Sequence, residues 1–339
     1  MKKRIRLLYT GGTIGMQRST GGYVPAPSLE RLLGEMPALS GRADMPDYDL
    51  HEYPDPIDSA NTGPGDWRRI AGDIAADYHR YDGFVVMHGT DTMAYTASAL
   101  SFMLQGLGKP VLVTGSQIPL QEIRNDAQNN LITALVLADR YPLREVCLYF
   151  NGRLLRGNRS KKIRADAFDA FDSPNYPWLG EVGIRIDIHR EQLLADPRPA
   201  RFELPDYDRH PVAVLKLFPG LCADWLVRLL ALPLAGLVLE SYGVGNAPDR
   251  TPGLLEVLER ACARGLVVLN VSQCLEGRVE PGDYATGAAL ERVGVSNGLD
   301  LTTEAALAKL HHLLALDLRP DEIRAALGRS LCGECTPVD

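Results

Sequence analysis

The chain has 339 residues, enough for about two domains, and 45% of them are hydrophobic while 23% are charged. The formal net charge of -7 argues against a general nucleic-acid or membrane-surface binder, because both classes carry a basic surplus. The six cysteines are scattered in a way that suggests no disulfide framework. We find no secretory signal and no apolar run long enough to span a bilayer, so we expect a soluble, cytoplasmic protein.

The chain begins with a predicted buried strand that runs directly into a glycine turn. Residues 5–9 are apolar, and residues 10–15 read Thr-Gly-Gly-Thr-Ile-Gly. Two adjacent glycines allow a sharp turn, which puts Thr13 just beyond the carboxyl end of the strand, where open α/β sheets bind ligands. A threonine hydroxyl there could be a nucleophile if a neighbouring base activates it. The alternative is a tight turn without chemistry, and the glycines do not form G-x-G-x-x-G.

Two loops downstream carry further candidates. Residues 16–25 are polar and rich in glycine, which predicts a mobile loop long enough to be a lid, with Tyr23 either a hydrophobic plug or a catalytic residue. Asp58 and Ser59 follow a strand predicted over 48–53, and turn formation or helix capping is the alternative to a role in binding. Helices are predicted on either side of this strand, over 28–33 and 66–81.

The next strand, predicted over 83–87, ends in the turn His-Gly-Thr-Asp-Thr and a helix over 93–107. Asp91 and Thr92 lie near the amino end of this helix, where such side chains commonly cap free N–H groups. A site for an amino acid also needs a carboxylate for the substrate ammonium, and Asp91 could provide it if it faced the cleft.

Strands and helices continue to alternate after this unit. The predicted elements are a strand over 109–116, a helix over 129–141 and a strand over 145–150, which together favour a mostly parallel sheet. The strongly basic residues 153–164 follow. They predict a loop with a solvated or phosphate-attracting surface, although no Walker-type motif supports phosphate binding.

A change in composition marks the division between domains. Residues 174–208 are rich in proline and charge. We therefore predict an α/β protein with a larger, Rossmann-like N-terminal α/β catalytic domain over 1–195, a linker over 196–211 and a smaller C-terminal α/β domain over 212–339. In the second domain, strands are predicted over 212–217, 236–239 and 265–270, and helices over 222–232, 253–263 and 303–316.

The motifs, in this order, resemble the bacterial-type L-asparaginases. Residues 10–15 match the amino-terminal signature of that family and residues 87–93 closely match its second signature. The resemblance covers nearly the whole chain, and residues 156–159 and 334–337 are similar to the cytoplasmic, type I branch. It implies an asparaginase/glutaminase-like fold, hydrolysis of L-asparagine to L-aspartate and ammonia, and no cofactor. It also implies a homo-oligomer, a dimer or a dimer of dimers. From the net charge we expect that this protein binds neither nucleic acid nor membrane.

The resemblance assigns a catalytic role to five residues. Thr13 matches the nucleophile that attacks the side-chain amide carbon, and Tyr23 matches the lid tyrosine beside that hydroxyl. Thr90, Asp91 and Lys162 match the threonine-lysine-aspartate group, and Lys162 fits the spacing of the flanking motifs better than the lysine before it.

The substrate's α-amino and α-carboxyl groups would be held by a second, overlapping set of residues. By the same resemblance these are Asp58, Ser59, Thr90 and Asp91, with Asn246 contributed near the neighbouring subunit's site.

The implied reaction has two steps. Attack by Thr13 builds an oxyanion, which backbone N–H groups of the glycine turns could stabilise. Ammonia leaves, and water then splits a β-aspartyl-threonyl ester. Two groups remain open as the base that takes the Thr13 proton, and we favour Tyr23 over Lys162.

Two positions depart from the family pattern. Ala60 stands where many members carry a polar residue, which puts one substrate contact, and with it the preference for asparagine over glutamine, in doubt. Glu240 stands where some type I members that respond to asparagine at a second site carry an arginine. A carboxylate there would repel the carboxylate of an effector, so we expect weak or absent allosteric activation.

Three alternatives to an asparaginase remain. One is a glutaminase-asparaginase of broader specificity. Another is a non-catalytic amino-acid sensor on the same fold, although the joint presence of Thr13, Thr90, Asp91 and Lys162 argues against it. The asparaginase-like subunit of a tRNA-dependent amidotransferase is disfavoured, because we find no extra amino-terminal domain and no basic surplus for tRNA.

Three further features favour structural roles. Residues 332–335 form a lone C-x-x-C motif, for which we expect no metal site. His311 and His312 lie in a predicted helix, where we expect one to be packed and the other exposed. His88 is expected to orient the turn that follows it by a hydrogen bond.

Overall fold

The computed structural model describes residues 2–37, 39, 42, 44–195, 199–280 and 285–337, and only the backbone over 285–288. The chain divides into two compact units, Met1–Leu204 and Pro205–Asp339. Residues 196–198 of the predicted linker lie outside the described residues. No helix in the described ranges combines the length and the apolar character needed to cross a membrane.

Unit 1 contains a large central sheet and three two-stranded sheets. Its strands, in chain order, are β1 (Arg4–Tyr9), β2 (Met16–Ser19), β3 (Gly22–Pro25), β4 (Asp47–Glu52), β5 (Gly83–Met87), β6 (Leu104–Gln105), β7 (Val111–Thr114), β8 (Val146–Phe150), β9 (Arg153–Arg156), β10 (Lys161–Lys162), β11 (Phe171–Asp172), β12 (Gly180–Val182), β13 (Ile186–Ile188) and β14 (Arg201–Phe202).

The central sheet has the order β13-β12-β9-β8-β7-β5-β1-β4. The five neighbouring strands β8, β7, β5, β1 and β4 pair in parallel. At the other edge of the sheet, β9, β12 and β13 pair antiparallel. All residues of β5, β7 and β8 are buried, which is typical of strands covered on both faces. The predicted mostly parallel sheet is therefore confirmed.

The helices of unit 1 are connected to the strands as the α/β alternation predicts. They are α1 (Leu29–Gly34), α2 (Pro64–Asp77), α3 (Met93–Met103) and α4 (Ala127–Arg140). Leu131 and Leu135 of α4 share a core with Ile5, Val85 and Leu112 of the sheet. Since α4 is amphipathic at helical spacing, this burial fixes its apolar face against the strands.

The basic segment after β8 is not the solvated loop that its composition predicts. It forms β9, and Arg156 and Arg159 are only 4% and 2% exposed. The Arg156 guanidinium donates to the buried Glu145 carboxylate at 2.6 Å, and it lies 4.3 Å from the centre of the Tyr176 ring. Composition alone missed this because the partner carboxylate and ring come from elsewhere in the chain. Residues 180–188, assigned no strands by composition, add β12 and β13 to the same sheet.

Unit 2 is a smaller α/β sandwich. Its strands are β15 (Val212–Lys216), β16 (Gly236–Ser241), β17 (Val267–Ser272) and β18 (Ser296–Asn297), which pair in parallel in that order. Its helices are α5 (Ala223–Leu230), α6 (Leu254–Ala263), α7 (Ala285–Arg292), α8 (Thr303–Leu314) and α9 (Pro320–Leu327). The elements β18, α7 and α9 were not predicted from the sequence.

Alternation along β16 builds two cores in unit 2. Leu237 and Leu239 pack with α5 and α6 on one face of the sheet, and Val238 packs with α8 and α9 on the other. Because successive side chains of a strand point to opposite faces, one strand contributes to both cores.

The prediction that only one of His311 and His312 is packed is wrong. The two side chains are 7% and 1% exposed, and His312 Nδ1 lies 3.0 Å from the Tyr207 hydroxyl. The pattern on α8 was misread because that helix is buried on nearly all sides. Burial lowers the pKa of each imidazole to about 4.

The C-x-x-C motif surrounds a buried ion pair. Glu334, between the two cysteines, accepts hydrogen bonds from the backbone N–H groups of Leu331 and Cys332. Its carboxylate also lies 2.8 Å from Lys309 Nζ, and both side chains are fully buried. Burial alone would raise the pKa of Glu334, but the Lys309 ammonium and the N–H donors bring it below its usual value.

Candidate active site

The predicted site residues of unit 1 follow neighbouring parallel strands. Thr13 follows β1, Asp58 and Ser59 follow β4, and Thr90 and Asp91 follow β5. These strands are adjacent in the order β5-β1-β4. Their carboxyl ends therefore meet at one edge of the sheet, which is where this architecture forms ligand sites.

Three glycines bring these loops into backbone contact. A Cβ on Gly11 would lie 2.2 Å from the Ile57 carbonyl oxygen, and one on Gly12 would lie 2.4 Å from the Gly89 nitrogen. A Cβ on Gly89 would lie 2.4 Å from Ser59 Oγ. Gly11 and Gly12 also have φ of 134° and 90°, which side chains with a Cβ rarely adopt. No larger residue fits at these positions, so the glycine turn sets the spacing of all three loops.

Thr13 opens a short 3-10 helix, Thr13–Gly15, at the end of the glycine turn. Its side chain is half-buried, and its hydroxyl makes no hydrogen bond within the part of the chain that the structure describes. The preceding Thr10 ties the turn to both neighbouring loops, because its hydroxyl donates to the Met87 carbonyl at 2.9 Å and its carbonyl accepts from Ile57 N–H at 2.6 Å. The turn is thus held on both sides while the Thr13 hydroxyl stays available.

Lys162, Thr90 and Asp91 form a hydrogen-bonded group. Lys162 Nζ donates to Thr90 Oγ1 at 2.9 Å and to Asp91 Oδ1 at 2.8 Å. Lys162 reaches the turn from β10, which pairs antiparallel with β11. Thr90 is 7% exposed, whereas the side chain of Asp91 is 61% exposed. The carboxylate of Asp91 therefore has room for a second cationic partner.

Asp58 and Ser59 have different surroundings. The Asp58 carboxylate caps the 3-10 helix Ser59–Asn61 by accepting from Ala60 N–H at 3.1 Å. Ser59 is 5% exposed and binds the next loop, where its carbonyl accepts from the Thr92 hydroxyl at 2.8 Å. Capping, the alternative reading of this pair, is thus present at Asp58, which remains exposed to solvent.

Tyr23 lies on an ordered hairpin and not on the irregular loop that its composition predicts. Residues 16–25 form β2 and β3, which pair antiparallel, and Tyr23 is opposite Arg18. The Tyr23 ring is 44% exposed, and its hydroxyl donates to Glu122 Oε1 at 3.1 Å, with no hydrogen bond to Thr13. Cross-strand pairing at a Gly-containing turn was missed because the segment lacks an apolar alternation.

His88 supports the turn and is not available as a base. It is 1% exposed, and Nδ1 lies 2.7 Å from the Gly89 carbonyl oxygen, so that nitrogen donates. Nε2 then accepts from the Thr96 hydroxyl at 2.9 Å. Burial lowers the pKa of the imidazole, which keeps it neutral.

Sequence reasoning missed Gln117, which follows β7 at the same edge of the sheet. Its Oε1 accepts from the Thr90 hydroxyl at 3.2 Å, and its Nε2 donates to the carbonyls of Ala165 and Ala167 at 3.1 and 3.0 Å. It thereby joins the Thr90 turn to the segment after Lys162. Its position just beyond the end of a predicted strand is the sequence feature that could have indicated Gln117 as a site residue.

Among the described residues, no three His, Cys, Asp or Glu side chains are grouped so that they could hold a metal ion.

Two family patterns match most of the chain. The pattern described as "Asparaginase, N-terminal" matches residues 4–194, and the "Glutaminase/Asparaginase C-terminal domain" pattern matches residues 211–327. The chain belongs to the asparaginase family.

Full-length asparaginases are among the similar proteins. "L-asparaginase 1" of Escherichia coli (strain K12) is 52% identical over 342 residues, covering 100% of this chain and 99% of the relative. The crystal structure of L-asparaginase I from Vibrio cholerae superposes with a TM-score of 0.92 at 48% identity, covering 99% of this chain and 100% of the other. The human "60 kDa lysophospholipase" is 39% identical and covers 99% of this chain, which spans 62% of that relative.

Asparaginase-family membership confirms the resemblance inferred from the two signatures. The roles of individual residues stay predictions, including that of Asn246 in unit 2. Asn246 closes the turn after β16, where its N–H donates to the Tyr242 carbonyl at 2.8 Å and its carbonyl accepts from Tyr242 N–H at 2.9 Å. Its side chain is half-buried on this turn.

Proposed function

We propose that this protein is an L-asparaginase, an amidohydrolase that converts L-asparagine to L-aspartate and ammonia. The observation that carries the proposal is the Lys162–Thr90–Asp91 group at 2.9 and 2.8 Å, which shares a sheet edge with the Thr13 turn. Acyl transfer needs an available hydroxyl near an ordered group that can carry a proton, and the Thr13 hydroxyl has no hydrogen-bond partner among the described residues.

The first step forms a covalent ester. The Thr13 hydroxyl attacks the side-chain amide carbon, and its proton passes to the oxygen of Tyr23, the base that we favour over Lys162. The proton that the Tyr23 hydroxyl already carries goes to the leaving amine. The carbonyl oxygen gains negative charge, which backbone N–H groups of the glycine turns stabilise. The C–N bond then breaks, and the leaving amine takes up a proton and departs as ammonia.

The second step releases aspartate. Water attacks the carbonyl carbon of the β-aspartyl-threonyl ester and gives up a proton to the same base. The base then gives that proton to the Thr13 oxygen as the ester C–O bond breaks. Lys162 holds the Thr90 hydroxyl and the Asp91 carboxylate in fixed positions for both steps. A closed lid limits access of bulk water during the first step.

The two charged groups on the α-carbon of the substrate are bound by different residues. The exposed Asp91 and Asp58 carboxylates attract the α-ammonium group. The Ser59 hydroxyl and the backbone N–H groups of the Thr90 turn donate hydrogen bonds to the α-carboxylate. Asn246 of a neighbouring subunit completes the contacts.

The test is ammonia release by the purified protein over a wide range of L-asparagine, with L-glutamine measured in parallel. We expect turnover of asparagine that disappears in Thr13→Ala and is partly kept in Thr13→Ser, because serine retains the hydroxyl. Comparable rates on both amino acids would favour a glutaminase-asparaginase. The observation that favours this second function is Ala60, which lacks the polar side chain that many members of the family carry there. Binding of asparagine without ammonia release would favour a sensor.

The same titration tests regulation. Glu240 Oε1 accepts a hydrogen bond from the Thr303 hydroxyl at 2.5 Å, so a carboxylate and not a cation occupies this position. We expect a hyperbolic dependence of rate on asparagine. Sigmoidal kinetics that a substitution near Glu240 abolishes would contradict the expectation.

We further propose a cytoplasmic, homo-oligomeric enzyme. The six cysteines form no disulfide among the described residues, which suits a reducing compartment. Fractionation of cells and the sedimentation coefficient of the purified protein test the two proposals separately.

A further inference from the structure

Glu122 bridges the two strands of the hairpin. It lies on the turn between β7 and α4, and its Oε1 accepts from Arg18 Nε on β2 and from the Tyr23 hydroxyl on β3, both at 3.1 Å. Arg18 and Tyr23 are cross-strand partners, and the Arg18 guanidinium lies 5.9 Å from the centre of the Tyr23 ring. The side chain of Glu122 is 28% exposed, so these hydrogen bonds are only partly open to solvent.

The turn that carries Glu122 is fixed to the segment that carries Thr13. Leu120 N–H donates to the Ile14 carbonyl at 3.2 Å, one residue beyond Thr13. Asn125 Nδ2 closes the turn from inside, because it donates to the carbonyls of Leu120 and Glu122 at 3.3 and 2.6 Å. The Glu122 carboxylate therefore occupies a defined position relative to the nucleophile.

The hairpin has few other attachments. Residues 18–25 are exposed, and Ala26 N–H donates to the Gly15 carbonyl at 2.9 Å at its base. Within the described ranges, Glu122 is the one side chain outside residues 16–25 that hydrogen-bonds a side chain of the hairpin. Without it, no side-chain hydrogen bond within the described ranges would join the side chains of the hairpin to the rest of the chain.

We propose that Glu122 is a positioning residue that fixes the hairpin, and with it the Tyr23 hydroxyl, relative to Thr13. The inference rests on the proposed function, because it takes Tyr23 to act at Thr13. Glu122 acts through Tyr23 and does not touch the reacting atoms.

A double-mutant cycle tests this role. We expect Glu122→Ala to lower kcat/KM about 10-fold, and Glu122→Gln to stay within about 3-fold of wild type, since the amide oxygen still accepts both hydrogen bonds. The double variant with Tyr23→Phe should be no slower than Tyr23→Phe alone. Gln121→Ala, at an exposed neighbour on the same turn, is the matched control and should leave kcat/KM unchanged.

Two kinetic results would overturn the proposal. One is an unchanged kcat/KM in Glu122→Ala. The other is a double variant whose loss is the product of the two single losses, because Glu122 would then act independently of Tyr23.

Hydrogen exchange over residues 16–25 separates this proposal from the proposed function. We expect exchange at least about 5-fold faster in Glu122→Ala and unchanged in Gln121→Ala, with the same melting temperature in both. Unchanged exchange in Glu122→Ala would refute the anchoring. If wild type shows no Thr13-dependent turnover, the proposed function fails and the exchange measurement still decides the attachment.

Discussion

At the scale of single residues, the site depends on close backbone approach as much as on reactive side chains. Gly12 lies against Gly89, and Gly89 lies against Ser59, at separations that leave no space for a Cβ. These contacts connect the loops after β1, β4 and β5, so a small displacement at one glycine moves several site residues together. Misplacement by about 1 Å at a reacting group can cost 10²-fold in rate.

Gly12→Ala tests this dependence. The new Cβ would lie 2.4 Å from the Gly89 nitrogen, and φ of 90° would be strained. We expect turnover to fall at least about 100-fold and the free energy of unfolding to fall by about 1–3 kcal/mol. Steady-state kinetics and urea unfolding measure the two effects.

Gly72→Ala is the matched control. Gly72 lies within α2, and apart from the backbone of that helix no described atom lies within 4 Å of the position of a Cβ. Alanine there should leave turnover unchanged and raise the free energy of unfolding by about 0.5–1 kcal/mol. Equal losses in both alanine variants would contradict the role assigned to the glycine turn.

Gln117→Leu tests the connection that the sequence did not indicate. Leucine removes the acceptor for the Thr90 hydroxyl and both donors to the segment after Lys162. We expect kcat to fall at least about 10-fold, because Thr90 loses one of its two fixed partners. Gln128→Leu, at an exposed position on α4, controls for the substitution itself and should retain wild-type kcat.

At the scale of secondary-structure elements, α8 is the helix of unit 2 that carries several buried ionisable side chains. Lys309, His311 and His312 all lie on this helix, and none is more than 7% exposed. Lys309 is paired with Glu334, whereas the two imidazoles are kept neutral by burial. The helix therefore couples the stability of unit 2 to pH.

The direction of this coupling follows from the two pKa values. Each imidazole has a pKa of about 4 in the folded protein and near 6.5 when unfolded, so the unfolded chain binds more protons between these values. The contribution of each neutral histidine to the free energy of unfolding is complete above about pH 6.5. It is lost as the pH falls toward 4, by up to roughly 3 kcal/mol per histidine. Urea unfolding at several pH values measures it.

The histidine contribution can be isolated by substitution. His312→Asn should give a shallower fall of unfolding free energy between pH 7 and pH 4.5 than wild type, even if its stability at pH 7 is lower. His79→Asn, at an exposed histidine on the surface of unit 1, should keep the wild-type slope. Identical slopes in all three proteins would exclude the assignment.

At the scale of the whole molecule, we propose that the site takes residues from two copies of the chain. Thr13 belongs to unit 1 and Asn246 to unit 2, and the resemblance assigns Asn246 to the neighbouring subunit's site. In a closed symmetric dimer each copy gives and receives the same residues.

Mixing two defective variants tests this arrangement. Thr13→Ala should be inactive and Asn246→Ala weakly active, and subunits exchanged between them should recover about a quarter of wild-type activity, because half of the dimers would hold one intact site. Recovery should require subunit exchange, which brief denaturation and refolding of the mixture provides. No recovery in mixed oligomers of confirmed composition would place Asn246 outside the neighbouring site.

Much of this protein follows from its sequence. The apolar runs before residues 10 and 88 predicted β1 and β5 nearly to the residue, because buried parallel strands read as continuous apolar segments. The two signatures led to the asparaginase family, which is confirmed, and hence to Thr13, Thr90, Asp91 and Lys162 as candidates. Local propensity and short motifs carry this information without reference to distant residues.

Only the tertiary structure decided which polar side chains find partners. Arg156 reads as solvated until Glu145 and Tyr176 surround it, and both imidazoles on α8 are buried by neighbours that are remote in sequence. Gln117 and Glu122 became visible for the same reason, since their partners lie on other loops. Burial and hydrogen bonding between segments depend on where the whole chain places them, and no local pattern encodes that placement.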